Sequence, residues 1–122
     1  MYSVGSDMLE IRRIAKLIEQ KSGFFERYYG DDERKELQER NYPPNTAAGM
    51  FCAKEAFSKA LETGVVGFSL KEVQLLHSEN GAPYLSLSGK AEQIAKERGL
   101  RFSVSISHTD EIAMAVVVAY DE

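Results

Sequence analysis

A compact α/β domain of the α+β kind, with a mainly antiparallel sheet packed against one long central helix, is what this 122-residue sequence predicts. Three observations carry that prediction. Residues 46–63 hold the longest helical pattern, which Asn45 or Thr46 can cap and Gly64 can stop. Asn80-Gly81 sits between two strand-like runs, a pair suited to the positive φ angles of a hairpin turn. Phe102, Val104 and Ile106 alternate with Ser103, Ser105 and Ser107, so residues 101–108 read as a strand with one apolar and one small polar face.

The other elements follow in order. Tyr2 to Asp7 reads as a short strand in which Gly5 permits close approach or a bend. From Glu10 to about Gln20, Ile11, Ile14, Ala15 and Ile18 fall at helical spacing and leave Arg12, Arg13 and Lys16 toward solvent. Gly23 breaks that helix. Phe24, Phe25, Tyr28 and Tyr29 cluster in a turn or short helix, and Asp31-Asp32 signals the start of another helix over 33–40. In the central helix Met50, Phe57 and Leu61 mark an apolar stripe, beside a polar one of Glu55, Ser58, Lys59 and Glu62. Leu70 to His77 and Pro83 to Leu87 are strand candidates, Ser88 to Arg98 is a capped helix stopped by Gly99, and 101–108 with 111–120 forms a final hairpin.

Length and composition narrow the function. The chain fits one domain over residues 1–122, with little room for a deep enclosed site, so a site at a subunit contact is expected. A net charge of −4 disfavours general affinity for nucleic acid. There is no long apolar run to suggest membrane association and no signal peptide, which points to the cytoplasm. Cys52 stands alone, which excludes an internal disulfide and a cysteine-based zinc site. Phosphate-cradling glycine motifs of the usual nucleotide enzymes are absent. The first helix is locally basic, a face that an acidic protein partner or plain solvent would suit.

Two carboxylates stand out by context: Asp7 at the end of the first strand and Glu55 among the small apolar residues of the central helix. Such a pair can share a Mg²⁺, which commonly takes one or two protein carboxylates and completes its shell with substrate phosphates and water. Lys59, one turn beyond Glu55, can reach a neighbouring phosphate. The plainer alternatives are an i,i+4 ion pair between Glu55 and Lys59 and a helix cap for Asp7. Likewise Ser105-Ile106-Ser107-His108-Thr109-Asp110 can bind phosphate or ribose, or simply turn a hairpin. His77 has no acid or base pattern around it and reads as structural.

Taken in order, Gly5-Ser6-Asp7, Arg13-Ile14, Ala53-Lys54-Glu55-Ala56-Phe57-Ser58-Lys59-Ala60-Leu61, Thr63-Gly64, Asn80-Gly81 with Pro83, and Ser105-Ile106-Ser107-His108 resemble the holo-acyl-carrier-protein synthases, the small bacterial phosphopantetheinyl transferases. The likeness runs over nearly the whole chain. It implies the phosphopantetheinyl transferase fold, a homotrimer with coenzyme A in clefts between neighbours, and transfer of the 4′-phosphopantetheine group to a serine of apo-acyl carrier protein for fatty acid biosynthesis. It further implies Asp7 and Glu55 as Mg²⁺ ligands and catalytic residues with Lys59, coenzyme A contacts at Lys59, Gly64, His108 and Thr109, and carrier docking at Arg13. Three positions depart from the family: Met50 stands where arginine is common, Glu62 where glycine is usual, and Ala82 where lysine is frequent. All three remove positive charge or add negative charge, so weaker coenzyme A binding or an altered loop is expected. Two rival readings share these residues: a non-catalytic carrier-binding relative, and a Mg²⁺-dependent hydrolase of a small diphosphate.

Overall fold

In the computed structural model, which describes residues 2–121, five strands form two antiparallel sheets around a long helix. The order is β1 (Tyr2–Glu10), α1 (Ile11–Gln20), α2 (Phe24–Tyr28), α3 (Asp31–Glu39), α4 (Pro44–Ala60), β2 (Val73–His77), β3 (Pro83–Leu87), α5 (Gly89–Glu97), β4 (Arg101–His108) and β5 (Ile112–Tyr120). The larger sheet has the order β1-β5-β4, while β2 and β3 form a separate hairpin. The expected single sheet is therefore two, both antiparallel.

The first strand continues to Glu10, three residues past its expected end, because β5 offers a partner to every residue from Tyr2↔Tyr120 to Glu10↔Ile112. That leaves Asp7 inside a strand. It cannot cap α1, whose N-cap is Glu10 without a side-chain bond. On the inner face of β5, Ala113, Ala115, Val117 and Ala119 are all fully buried, and these small side chains let α4 lie close to the sheet. Gly5 has the same purpose on β1. A Cβ there would stand 2.0 Å from the Ala56 carbonyl oxygen and 2.6 Å from the Ala60 nitrogen, so only glycine permits this approach.

The ends of α4 differ from the sequence reading. Pro43 is the N-cap and Pro44 the first helical residue, a position where a missing N–H leaves no donor unsatisfied. Asn45 and Thr46 thus lie within the first turn. At the other end the helix stops at Ala60, and Glu62 rather than Gly64 takes the first left-handed conformation, at φ +65°. Gly64 is left-handed too, in the exposed loop that follows. Ser58, expected on the polar stripe, is buried and donates to the Glu55 carbonyl at 2.6 Å.

Smaller differences lie elsewhere. Leu70–Glu72 form a single 3₁₀ turn before β2. Asp31 and Asp32 fall inside α3, whose N-cap is Gly30. The Asn80-Gly81 pair belongs to a loop over 78–82, with a positive φ at Gly81 only.

A buried ion pair ties the halves together. Lys54 of α4 pairs with Glu33 of α3, and both side chains are fully buried. Lys54 also donates to the Val73 carbonyl at 2.7 Å, while Glu33 accepts from the backbone N–H groups of Gly30 and Leu75 at 3.0 and 2.9 Å. Burial pushes the Glu33 carboxyl up and the Lys54 ammonium down, and each charge opposes the shift in the other.

Candidate active site

Where β1 lies on α4, three of the residues singled out by the sequence come together. Asp7 is in the middle of β1, while Glu55 and Lys59 lie one turn apart on the flank of α4 that faces it. The Lys59 ammonium donates to Asp7 Oδ1 at 3.3 Å and to the Ser6 carbonyl at 2.9 Å. Lys59 thus bridges to the strand, and the plainer alternative of an i,i+4 ion pair with Glu55 is not what forms. Its side chain is about half exposed, so this pair contributes little to stability.

Electrostatics place Glu55 within the same cluster. Burial first, and then the Asp7 charge, raise its carboxyl above the ordinary value, with Lys59 opposing. Beneath them lies Cys52, fully buried, its thiol pushed up to about 12 by burial and then by Asp7 and Glu55. The thiol is thereby held inert and serves as a small packing group in the core. Two carboxylates and one ammonium, open to solvent on one side, form a small polar cluster on an otherwise apolar helix.

His108 and Thr109 lie elsewhere. In the sheet, Asp7 pairs with Ala115 and Ala115 with Ile106, while the next inward row is Leu9, Ala113 and His108. Two interstrand spacings of about 4.8 Å therefore separate the Asp7 strand from the His108 strand, and α4 covers β5 between them. Thr109 shapes the β4–β5 turn: its N–H donates to Ile112 and its hydroxyl oxygen accepts from Glu111 and Ile112.

Of the departures, Met50 is fully buried in the core. Glu62 is exposed and accepts a hydrogen bond from Ser3 at 3.2 Å. Ala82 lies exposed in the β2–β3 loop. Arg13 projects from the exposed face of α1 beside Arg12 and Lys16. One contact leaves no mark in the sequence: His77 is held by Glu36 of α3, 41 residues away, through its ring Nδ1 and its backbone N–H, both at 3.0 Å. Only the fold could reveal that pair.

This fold and this cluster define a class. The family model of the 4′-phosphopantetheinyl transferase superfamily matches residues 3–117, and the chain belongs to that family. More particularly, it is 43% identical over 117 residues to the holo-[acyl-carrier-protein] synthase of Caldanaerobacter subterraneus subsp. tengcongensis, covering 95% of this chain and 92% of that protein. The crystal structure of the holo-[acyl-carrier-protein] synthase from Neisseria meningitidis superposes with a TM-score of 0.89 at 30% identity, over 98% of each chain. The Bacillus anthracis synthase in complex with CoA (3′,5′-ADP) superposes with a TM-score of 0.80 at 30% identity, over 98% of this chain and 96% of that one.

Proposed function

We propose that this chain is a holo-acyl-carrier-protein synthase, which transfers 4′-phosphopantetheine from coenzyme A to a serine of apo-acyl carrier protein. The observation that carries the reading is the convergence of Asp7, Glu55 and Lys59 at the β1–α4 contact, within a chain so similar to synthases of that name. The serine oxygen forms a bond to the β-phosphorus of coenzyme A. The bond from that phosphorus to the oxygen bridging the two phosphates breaks, and adenosine 3′,5′-bisphosphate leaves.

The donor set suits Mg²⁺. Two carboxylates face one another across the β1–α4 contact, and among the described residues no group of three or more potential ligands exists to form an all-protein cage. Asp7 and Glu55 would hold the ion, leaving its other positions to coenzyme A phosphates and water. When bound, Mg²⁺ supplies Lewis-acid stabilisation of phosphoryl charge. Lys59 neutralises charge developing on the departing bisphosphate. Glu55, directly or through a water, takes the serine proton. Arg13 and its basic neighbours dock the acidic carrier.

The wide separation of His108 and Thr109 from Asp7 favours a cleft shared between subunits. On the outer face of the larger sheet Tyr2, Val4 and Met8 are exposed, beside the half-buried Met114, Val116, Val118 and Tyr120 of β5. Such an uncovered apolar face suits self-association, and we assign it to a homotrimer in which His108, Thr109 and Gly64 complete the coenzyme A site. No helix among the described residues is long and apolar enough to cross a membrane, and the reaction is assigned to the cytoplasm.

Intact-mass spectrometry of apo-acyl carrier protein incubated with this protein, coenzyme A and Mg²⁺ tests the reading. The carrier should gain one phosphopantetheine, and the gain should vanish with EDTA or Asp7→Ala. An unmodified carrier together with undetectable coenzyme A binding would refute it.

A further inference from the structure

The last turn of α4 carries Lys59 and leads directly into Thr63 and Gly64. It does so through a conformation that its residue disfavours. Leu61 is the C-cap, and Glu62 after it has φ +65°. A side chain with a Cβ remains in the left-handed region only where its surroundings over-determine it. The Glu62 N–H donates to the Lys59 carbonyl at 2.9 Å, so the Glu62 backbone and the turn bearing Lys59 are held as one.

Two side chains from outside the helix fasten that turn. Arg98, the C-cap of α5, donates from Nη1 to the Leu61 carbonyl at 3.1 Å, across 37 residues of sequence. A carbonyl at the end of a helix lacks an intrahelical partner, and a guanidinium placed there also meets the negative end of the helix dipole. The peptide plane joining Leu61 to Glu62 is rigid. Arg98 on its oxygen and the Lys59 carbonyl on its N–H therefore fix both edges of one plane. From the other side the buried Ser3 of β1 donates to Glu62 Oε1 at 3.2 Å. Further along, Phe68 is buried edge-on against Phe57, with ring centroids 5.6 Å apart, so residues 62–67 are tied at both ends.

We propose that Arg98 is a positioning residue for coenzyme A binding: by fixing the Leu61–Glu62 peptide plane it keeps Glu62 left-handed, and so sets the course of Thr63 and Gly64 beside Lys59. The inference rests on the transferase reading, in which Lys59 and Gly64 contact coenzyme A. Arg98 acts through the backbone and does not itself touch the substrate. A glycine at position 62 would adopt positive φ without steric cost and follow the same path unaided. Glutamate at that position makes this chain depend on the guanidinium.

A double-mutant cycle read by isothermal titration with coenzyme A and Mg²⁺ decides the matter, using the full-length wild-type protein, Arg98→Met, Glu62→Gly and the double variant. Arg98→Met should weaken binding about tenfold, the factor that the left-handed penalty sets once the plane is free to turn. In the Glu62→Gly background the same substitution should weaken binding by less than about twofold, because glycine stays left-handed without help. Losses of equal size in both backgrounds would show the guanidinium acting on coenzyme A by contact or charge. That result, or no loss in either background, would overturn the assignment and leave the transferase reading standing. Ala91→Gly, at a buried position of α5, weakens that helix without removing the Arg98 bond and should keep wild-type affinity. A loss there as large as in Arg98→Met would assign the effect to the stability of α5 and overturn the proposal. A wild-type protein that does not bind coenzyme A would overturn both readings.

Discussion

Replacing Gly5 with alanine tests how the site is assembled. A Cβ at position 5 would lie 2.0 Å from the Ala56 carbonyl oxygen and 2.6 Å from the Ala60 nitrogen, both backbone atoms with no rotamer to turn away. A carbon needs about 3.3 Å from a carbonyl oxygen, so β1 must retreat from α4 by about 1.3 Å. Asp7 is two residues along the same face of that strand, and it moves with Gly5 away from Glu55 and Lys59. Overpacking of this size destabilises by about 1–3 kcal/mol, and a misplacement of about 1 Å in a catalytic group can reduce turnover about a hundredfold. Urea denaturation measures the first effect, and kcat/KM for carrier modification measures the second. The same experiment on Ser6→Ala, an exposed neighbour on the opposite face, should leave both nearly unchanged. If Gly5→Ala kept wild-type stability and kcat/KM, close contact between β1 and α4 would not be what builds this site.

Four further outcomes are expected. Lys54→Met should destabilise the protein by about 3–5 kcal/mol in denaturant melts by stranding the buried Glu33; adding Glu33→Gln should recover part of that loss, and no recovery would contradict the pairing. The Glu55 carboxyl is raised above its ordinary 4.5, chiefly by burial, so the folded state retains a proton there that the unfolded state has lost. Metal-free wild-type protein should accordingly lose stability relative to Glu55→Gln as pH rises from that ordinary value through the raised one, and parallel Tm curves would refute this. Glu62→Gly should tighten coenzyme A binding by calorimetry while moving Tm little, because relief of a left-handed non-glycine residue is offset by the lost Ser3 bond and by glycine's chain entropy. Met8→Glu, on the outer sheet face, should shift the light-scattering mass from that of the proposed trimer to that of a monomer and abolish transfer; an unchanged mass would remove that face from the proposed interface.

The sequence reveals the repeating features better than the boundaries. The alternation over 101–108 places β4 at its observed limits, because a period of two needs no distant information. The end of β1 lies beyond such reasoning: only pairing with all nine residues of β5 carries it to Glu10. Gly5 announces a close approach, yet its partner is 51 residues away in α4. Asp7, Glu55 and Lys59 are visible as candidates through their context, whereas the Lys59–Asp7 contact that replaces the local Glu55–Lys59 pair needs the strand to be in place. Gly64 looks like the helix stop by residue type, but Glu62 assumes the left-handed conformation first. Glu36 and His77 carry no mark of each other until α3 and β2 are packed together.

Lys54 and Glu55 are adjacent in sequence and meet opposite environments. At 3.6 residues per turn, consecutive side chains point about 100° apart, so Lys54 enters the core toward Glu33 while Glu55 reaches the flank facing Asp7. A buried ion pair contributes little net stability over an apolar pair of similar size. Its effect here is on register. If α4 slipped by one residue, Glu55 would turn toward Glu33 and place two carboxylates together in the core, while Lys54 would lose both Glu33 and the Val73 carbonyl. Like charges without water are among the most unfavourable arrangements a core can hold, so the slipped helix is excluded. The pair that takes no part in the chemistry therefore fixes the rotation of the helix that presents Glu55 and Lys59 to Asp7.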